Sequence, residues 1–244
     1  MKKLAVVLLS GGLDSTTAAS LAGRDGYDVL ALTLHYGQVH SKEIEAAKAV
    51  AEALHLKHRV VDVEFFGDLA WYSALTSPER FKIPKERQLE EMADDIPITY
   101  VPLRNTFFLA LGTAWLESEV LRVVEEDGEN PADVEAAVFI AANAIDYSGY
   151  PDCRPEYYKT VTETLLLGSK MGTQYGISIK IETPLLEMSK ADIVRTAVDI
   201  GAPLDRTWSC YEGRERPCGV CDSCLLRATG FEEAGAVDPA MALA

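Results

Sequence analysis

Apolar residues fall along this chain in two alternating rhythms. Short apolar runs at 4–9, 28–34, 59–63, 137–142 and 177–181 have the length of strands, and the unbroken run at 4–9 reads as a strand buried on both faces. A shorter stretch at 99–102 is predicted as a further strand. Between the runs, apolar positions recur at helical spacing. Within 41–55 they are Ile44, Ala47, Val50, Ala51 and Leu54. Helices are also predicted at 14–24, 105–116, 155–167, 189–200 and 222–233. Pro155 stands where a first helical turn accepts proline, and Gly201 where a helix end accepts glycine. Strands alternating with helices predict an α/β fold: an open, mainly parallel, Rossmann-like sheet with helices on both faces. Ligands of such sheets bind beyond the carboxyl ends of the strands.

Two stretches interrupt the rhythm. Residues 71–96 carry Pro78, Pro84 and dense charge, and read as a surface excursion or a lid over a ligand. Residues 117–135 contain EEDGENPAD and read as a solvated helix extension and turn. The remaining division is between an α/β domain at 1–204 and a cysteine-bearing segment at 205–244, packed on it as one unit.

The run at 4–9 leads straight into Ser10-Gly11-Gly12, then Leu13, Asp14, Ser15, Thr16, Thr17 and Ala18 at the start of a helix. Glycines let the backbone turn sharply and approach a ligand closely. Amide groups converging at a helix start suit phosphate. Ser10, Ser15 and Thr16 add hydroxyl donors, and Asp14 is placed to hold magnesium between phosphates. The loop lacks the lysine of a Walker A motif and the spacing of a dinucleotide fingerprint. It resembles the S-G-G-x-D-S loop of the ATP-pyrophosphatase family, whose members typically cleave ATP between its α- and β-phosphates. That resemblance makes the positions from Leu8 and Leu9 through Ala18 the candidate ATP-binding residues.

Composition narrows the class. The net charge of −15 opposes nonspecific nucleic-acid binding, which rests on Lys and Arg neutralising phosphates. No apolar run approaches the roughly 20 residues of a membrane span, and a cytoplasmic protein is expected. Four of five cysteines crowd into Cys210, Cys218, Cys221 and Cys224, spaced C-x7-C-x2-C-x2-C. This is a tetrahedral thiolate pattern with no open position, hence a structural site. Zinc suits it, and an iron–sulfur cluster also accepts four cysteines. Cys153 stands apart in a polar loop, as a nucleophile, a substrate contact or a structural thiol.

That loop, NAIDYSGYPDCRP at 143–155, follows a predicted strand. Its carboxylates suit the N1–H and amine of a guanine-like ring, its tyrosines a flat face, and Arg154 a carboxylate. With it the chain resembles the 7-cyano-7-deazaguanine synthase family, the queuosine-pathway branch of the ATP-pyrophosphatases. The resemblance rests on VVLLSGGLDSTTA, HYGQVHSKEIEAA, VPLRNTFFLALG, NAIDYSGYPDCRPEYY, ETPLLEMSKADIV and TWSCYEGRERPCGVCDSCLLRATGFEEAG, in order along nearly the whole chain. It implies an adenine nucleotide α-hydrolase-like fold, 7-carboxy-7-deazaguanine, ATP with Mg2+ and ammonia as reactants, structural Zn2+ and a homodimer. It implies that Asp146, Tyr147, Ser148, Gly149, Asp152 and Arg154 frame the deazapurine. Arg104 and Lys190 become candidates to stabilise phosphate charge. His35 and His40 read as structural, and no residue stands out as a general base. A tRNA-modifying adenylyltransferase is the alternative, disfavoured by the acidic charge and short chain.

Overall fold

A computed structural model describes residues 1–37, 42–85, 96–143 and 150–242. Its strands are β1 (Lys2–Leu8), β2 (Asp28–His35), β3 (Lys57–Asp62), β4 (Val134–Phe139) and β5 (Ile179–Glu182). They form one parallel sheet in the order β3-β2-β1-β4-β5. The helices are α1 (Leu13–Arg24), α2 (Lys42–Ala53), α3 (Glu64–Leu69), α4 (Arg104–Leu121), α5 (Pro155–Leu167), α6 (Lys170–Tyr175), α7 (Lys190–Asp199), α8 (Asp222–Ala234) and α9 (Pro239–Ala242).

β1 lies at the centre, with Leu4 paired to both Asp28 and Ala136. Its side chains alternate between two cores. Leu4 and Val6 pack with Leu109, Leu116 and Val120 of α4. Ala5 and Val7 pack with Ala19 and Ala22 of α1 and with Ala47, Val50 and Ala51 of α2. The alanine-rich face brings α1 and α2 close to the sheet, whereas the α4 face takes larger side chains. The chain leaves β1 toward β2 on one side and reaches β4 on the other, so a crevice opens at the carboxyl ends of β1 and β4.

Helix ends follow local chemistry. Ser189 caps α7 by accepting from the Asp192 amide at 3.2 Å, and the Asp192 carboxylate accepts in return from the Ser189 amide at 3.3 Å. Pro155 opens α5, and Gly201 at φ +67° follows the end of α7.

Three expectations are corrected. Residues 99–102 are a turn, not a strand: the Tyr100 amide donates to the Pro97 carbonyl at 2.9 Å, and Leu103 adopts φ 55°. Prolines on both sides deny that stretch ladder donors. Residues 117–135 are only partly solvated, because α4 continues into a π-helical turn (Arg122–Glu126) and both Val120 and Val123 are fully buried. The described part of 71–96 is packed on the protein rather than a free excursion, and its Leu75 lines the cleft at the carboxyl edge of the sheet; residues 86–95 lie outside the described residues. Ser73 and Ala74 are buried, Ile83 packs on the cysteine cluster, and Lys85 bridges to Cys221 and pairs with Glu212.

Candidate active site

The crevice is a cleft of about 290 Å³. Leu8, Leu9, Ser10, Gly12, Leu13, Asp14 and Ser15 form its floor. The loop holds itself in shape: the Ser10 and Ser15 hydroxyls lie 3.0 Å apart, the Gly12 amide donates to Ser10 Oγ at 3.3 Å, and Ser15 Oγ donates to the Gly12 carbonyl at 3.2 Å. Gly11 has φ +82°, and a Cβ there would collide with the Ala47 amide nitrogen and stand 2.6 Å from the Glu43 carbonyl oxygen. Its glycine therefore serves the seat of the loop on α2 as well as the turn. Thr17 donates to the Leu13 carbonyl at 2.8 Å and Ala18 packs in the core with α7, so these two do not line the cleft. Thr16 is buried, and its hydroxyl has no partner among the described residues.

Lys190, at the first position of α7, lies 2.8 and 3.0 Å from the two carboxylate oxygens of Asp14. Its stem lies against Gly230 of α8, where a Cβ would overlap Lys190 Cγ. The expected magnesium ligand is thus paired with a lysine that also lines the cleft.

Arg104 opens α4 on the opposite wall and donates to the Tyr36 hydroxyl at 3.4 Å. Tyr36, Tyr150 and Asp152 reinforce its positive charge against the cost of burial. Tyr150 lines the cleft, its hydroxyl 2.9 Å from Thr99 Oγ1. Asp152 is buried with Oδ1 unpartnered among the described residues, and burial holds its carboxyl above the usual value while Arg104 opposes the rise. Cys153 lines the cleft, but burial pushes its thiol up to about 11, so it presents a neutral thiol at neutral pH rather than a thiolate nucleophile. Arg154 is exposed at the start of α5 and is not among the cleft residues. Asp146, Tyr147, Ser148 and Gly149 lie outside the described residues, as does His40.

The last wall comes from the cysteine-bearing segment. Trp208, Ser209, Tyr211, Ser223, Leu226 and Arg227 all face the cleft. The Trp208 amide donates to the Gly11 carbonyl at 2.9 Å, tying this segment to the loop. Sequence reasoning missed this wall, along with Tyr36 and Glu43. Their stretches carried the resemblance, but only a fold places them at one site.

Arg227 is buried and grips Asp238 through Nε at 2.6 Å and Nη2 at 2.8 Å, with Nη1 on Ser209 Oγ at 3.0 Å. Removing one partner of such a pair leaves an uncompensated buried charge. Asp238→Ala is therefore expected to lower stability by about 3–5 kcal/mol, read as an earlier midpoint in urea unfolding. An unchanged midpoint would show that the pair contributes nothing.

The four sulfurs of Cys210, Cys218, Cys221 and Cys224 lie within 4.8 Å of one another. A tetrahedral ion with metal–sulfur bonds of about 2.3 Å spaces its sulfurs by about 3.8 Å, so the set fits one ion. Backbone amides of Glu212 and Cys218 donate to Cys210 Sγ at 3.4 and 3.3 Å, and Cys221 donates to Cys218 Sγ at 3.3 Å. Gly219 supplies a positive φ of 74° within the knuckle. Hydrogen bonds from Cys221 and Cys224 hold the Cys210 thiol well below its usual value. Cys221, which precedes the first turn of α8, is itself pushed up to about 11 by its hydrogen bond to Cys210.

Comparison with known proteins places this geometry in a family. Residues 4–235 match the family model described as "Queuosine biosynthesis protein QueC". The chain is 44% identical over 238 residues to the 7-cyano-7-deazaguanine synthase of Thermoplasma acidophilum, covering 98% of this chain and 91% of that one. It is 46% identical over 235 residues to the protein of the same name from Acetivibrio thermocellus, covering 96% and 95% of the two. With that of Syntrophus aciditrophicus it shares 45% identity over 244 residues.

Proposed function

This chain belongs to the queuosine biosynthesis protein QueC family, and from that premise we propose how its cleft works. The enzyme is a C–N bond-forming ligase that makes 7-cyano-7-deazaguanine (preQ0) from 7-carboxy-7-deazaguanine and ammonia, using ATP. The observation that carries this reading is full-length identity above 40% to curated synthases of that name, with their chain lengths nearly matched.

The chemistry explains the parts. A carboxylate is a poor electrophile because oxide is a poor leaving group. Transfer of an adenylyl group lets that oxygen leave as AMP. Ammonia then gives an amide, whose oxygen needs a second activation before it is lost to leave the nitrile. The loop from Leu8 to Ser15 cradles the phosphates of ATP, its amides facing the charge. Magnesium enters with those phosphates, and Asp14 is the loop carboxylate that meets it, in competition with Lys190. Lys190 and Arg104, on opposite walls, offset charge that builds on the phosphate oxygens. Asp146, Tyr147, Ser148 and Gly149 are the residues we assign to the deazapurine; Asp152, buried next to the lining residue Cys153, and the exposed Arg154 stand outside the lining of the cleft.

Zinc is the ion we assign to the four cysteines. Their sulfurs are close enough to share one centre, whereas a multi-iron cluster would have to stand between them. The ion would hold the cysteine-bearing wall and supply no open coordination position. A cytoplasmic homodimer that acts on free small molecules and does not bind nucleic acid completes the reading. No described helix is long and apolar enough to cross a membrane.

Incubation with ATP, magnesium, ammonium and 7-carboxy-7-deazaguanine, followed by mass spectrometry, tests the assignment. The expected result is the nitrile, with AMP and pyrophosphate released. Metal-replete protein that yields neither amide nor nitrile would overturn it.

A further inference from the structure

Two described carboxylates line the cleft, Asp14 and Glu43. Asp14 is engaged through both oxygens by Lys190. Glu43 is held in a different way. Its helix, α2, is seated against Gly11, so the Glu43 carbonyl stands beside the phosphate loop, and Glu43 lines the cleft together with Arg104. Among the described residues no histidine lines this cleft. The amination step meanwhile needs a proton acceptor. As the C–N bond to the activated carboxyl carbon forms and the C–O bond to AMP breaks, the nitrogen of ammonia must give up one proton.

We propose that Glu43 is the catalytic residue that takes this proton and passes it to solvent. The inference rests on the ligase reading above and adds a residue to it. Position supports the role. Arg104 lines the same cleft, near enough for its charge to act on the Glu43 carboxyl. Burial raises the proton affinity of the Glu43 carboxyl, and Arg104 opposes the rise. Tyr36, which also lines the cleft, keeps its proton because burial raises its hydroxyl. An acceptor whose affinity for protons matches the working pH is the efficient kind.

The test separates the two halves of the reaction in wild type, Glu43→Gln and Glu43→Asp. Exchange of labelled pyrophosphate into ATP, dependent on the carboxylic acid, reports adenylylation without ammonia. Formation of amide, expressed per free ammonia, reports the second half. In Glu43→Gln we expect exchange to persist while amide formation falls by about 10²-fold or more. Any rise of the wild-type rate with pH that Glu43 causes should flatten in that variant, and Glu43→Asp should recover part of both. Equal loss of exchange and amide formation would overturn the proposal and make Glu43 part of the ATP site. Unchanged amide formation would overturn it as well. Wild-type protein without acid-dependent exchange would instead overturn the adenylylation reading, and this proposal with it.

Discussion

Gly11→Ala is expected to abolish most of the activity while leaving the protein folded. Alanine at φ +82° pays a conformational cost of about 1–2 kcal/mol. For a chain of this size that corresponds to a fall in Tm of only a few degrees. The larger consequence is steric. The new methyl group meets the backbone of Ala47 and Glu43, atoms fixed by the helical ladder of α2, so the loop must move away from the helix. A displacement of about 1 Å at a phosphate cradle is enough to cost 10²-fold in rate. Gly26 provides the control. It has nearly the same φ of 83° with no atom within 4 Å of its Cβ position. Gly26→Ala should show a similar loss of Tm and near-normal turnover. If the two variants keep equal activity, the seat of the loop on α2 is not what positions ATP.

Cys221→Ser is expected to remove the metal, the knuckle and turnover together. Cys221 is fully buried, precedes α8, and bridges to Lys85 of the segment laid across the knuckle. Losing one thiolate of four opens the coordination shell, and binding energy of a structural ion is folding energy for the residues it gathers. Those residues include the wall from Trp208 to Arg227 and its hydrogen bond to Gly11. Elemental analysis should find about one ion per wild-type chain and little in the variant. Thermal unfolding should start earlier, and affinity for ATP should drop before the sheet itself melts. Normal metal content in Cys221→Ser would refute the four-thiolate site.

The long elements were legible because their periods were clean. The run at 4–9 and the alanine-spaced helix at 41–55 lie within a residue or two of β1 and α2. α3 and α6, at six residues each, are too short to display a 3.6-residue period. At 117–135 the acidic run from Glu125 onward hid Val120 and Val123, whose burial depends on packing across the sheet face. The phosphate loop and the cysteine set were readable because each is local in sequence. The cleft's other walls were not, since Lys190 meets Asp14 across 176 positions and Trp208 meets Gly11 from the far end of the chain. No local pattern encodes such meetings. Even the reason for Gly11 was half visible: the turn could be read, its contact with α2 could not.

The bond from Trp208 to Gly11 also sets an order of events during synthesis. The phosphate loop leaves the ribosome before any residue of the segment that closes over it. Domains generally fold as they emerge, yet here a nascent chain holding every strand of the sheet still lacks one side of its nucleotide cradle. A truncated product that ends before Trp208 would carry the loop without that wall.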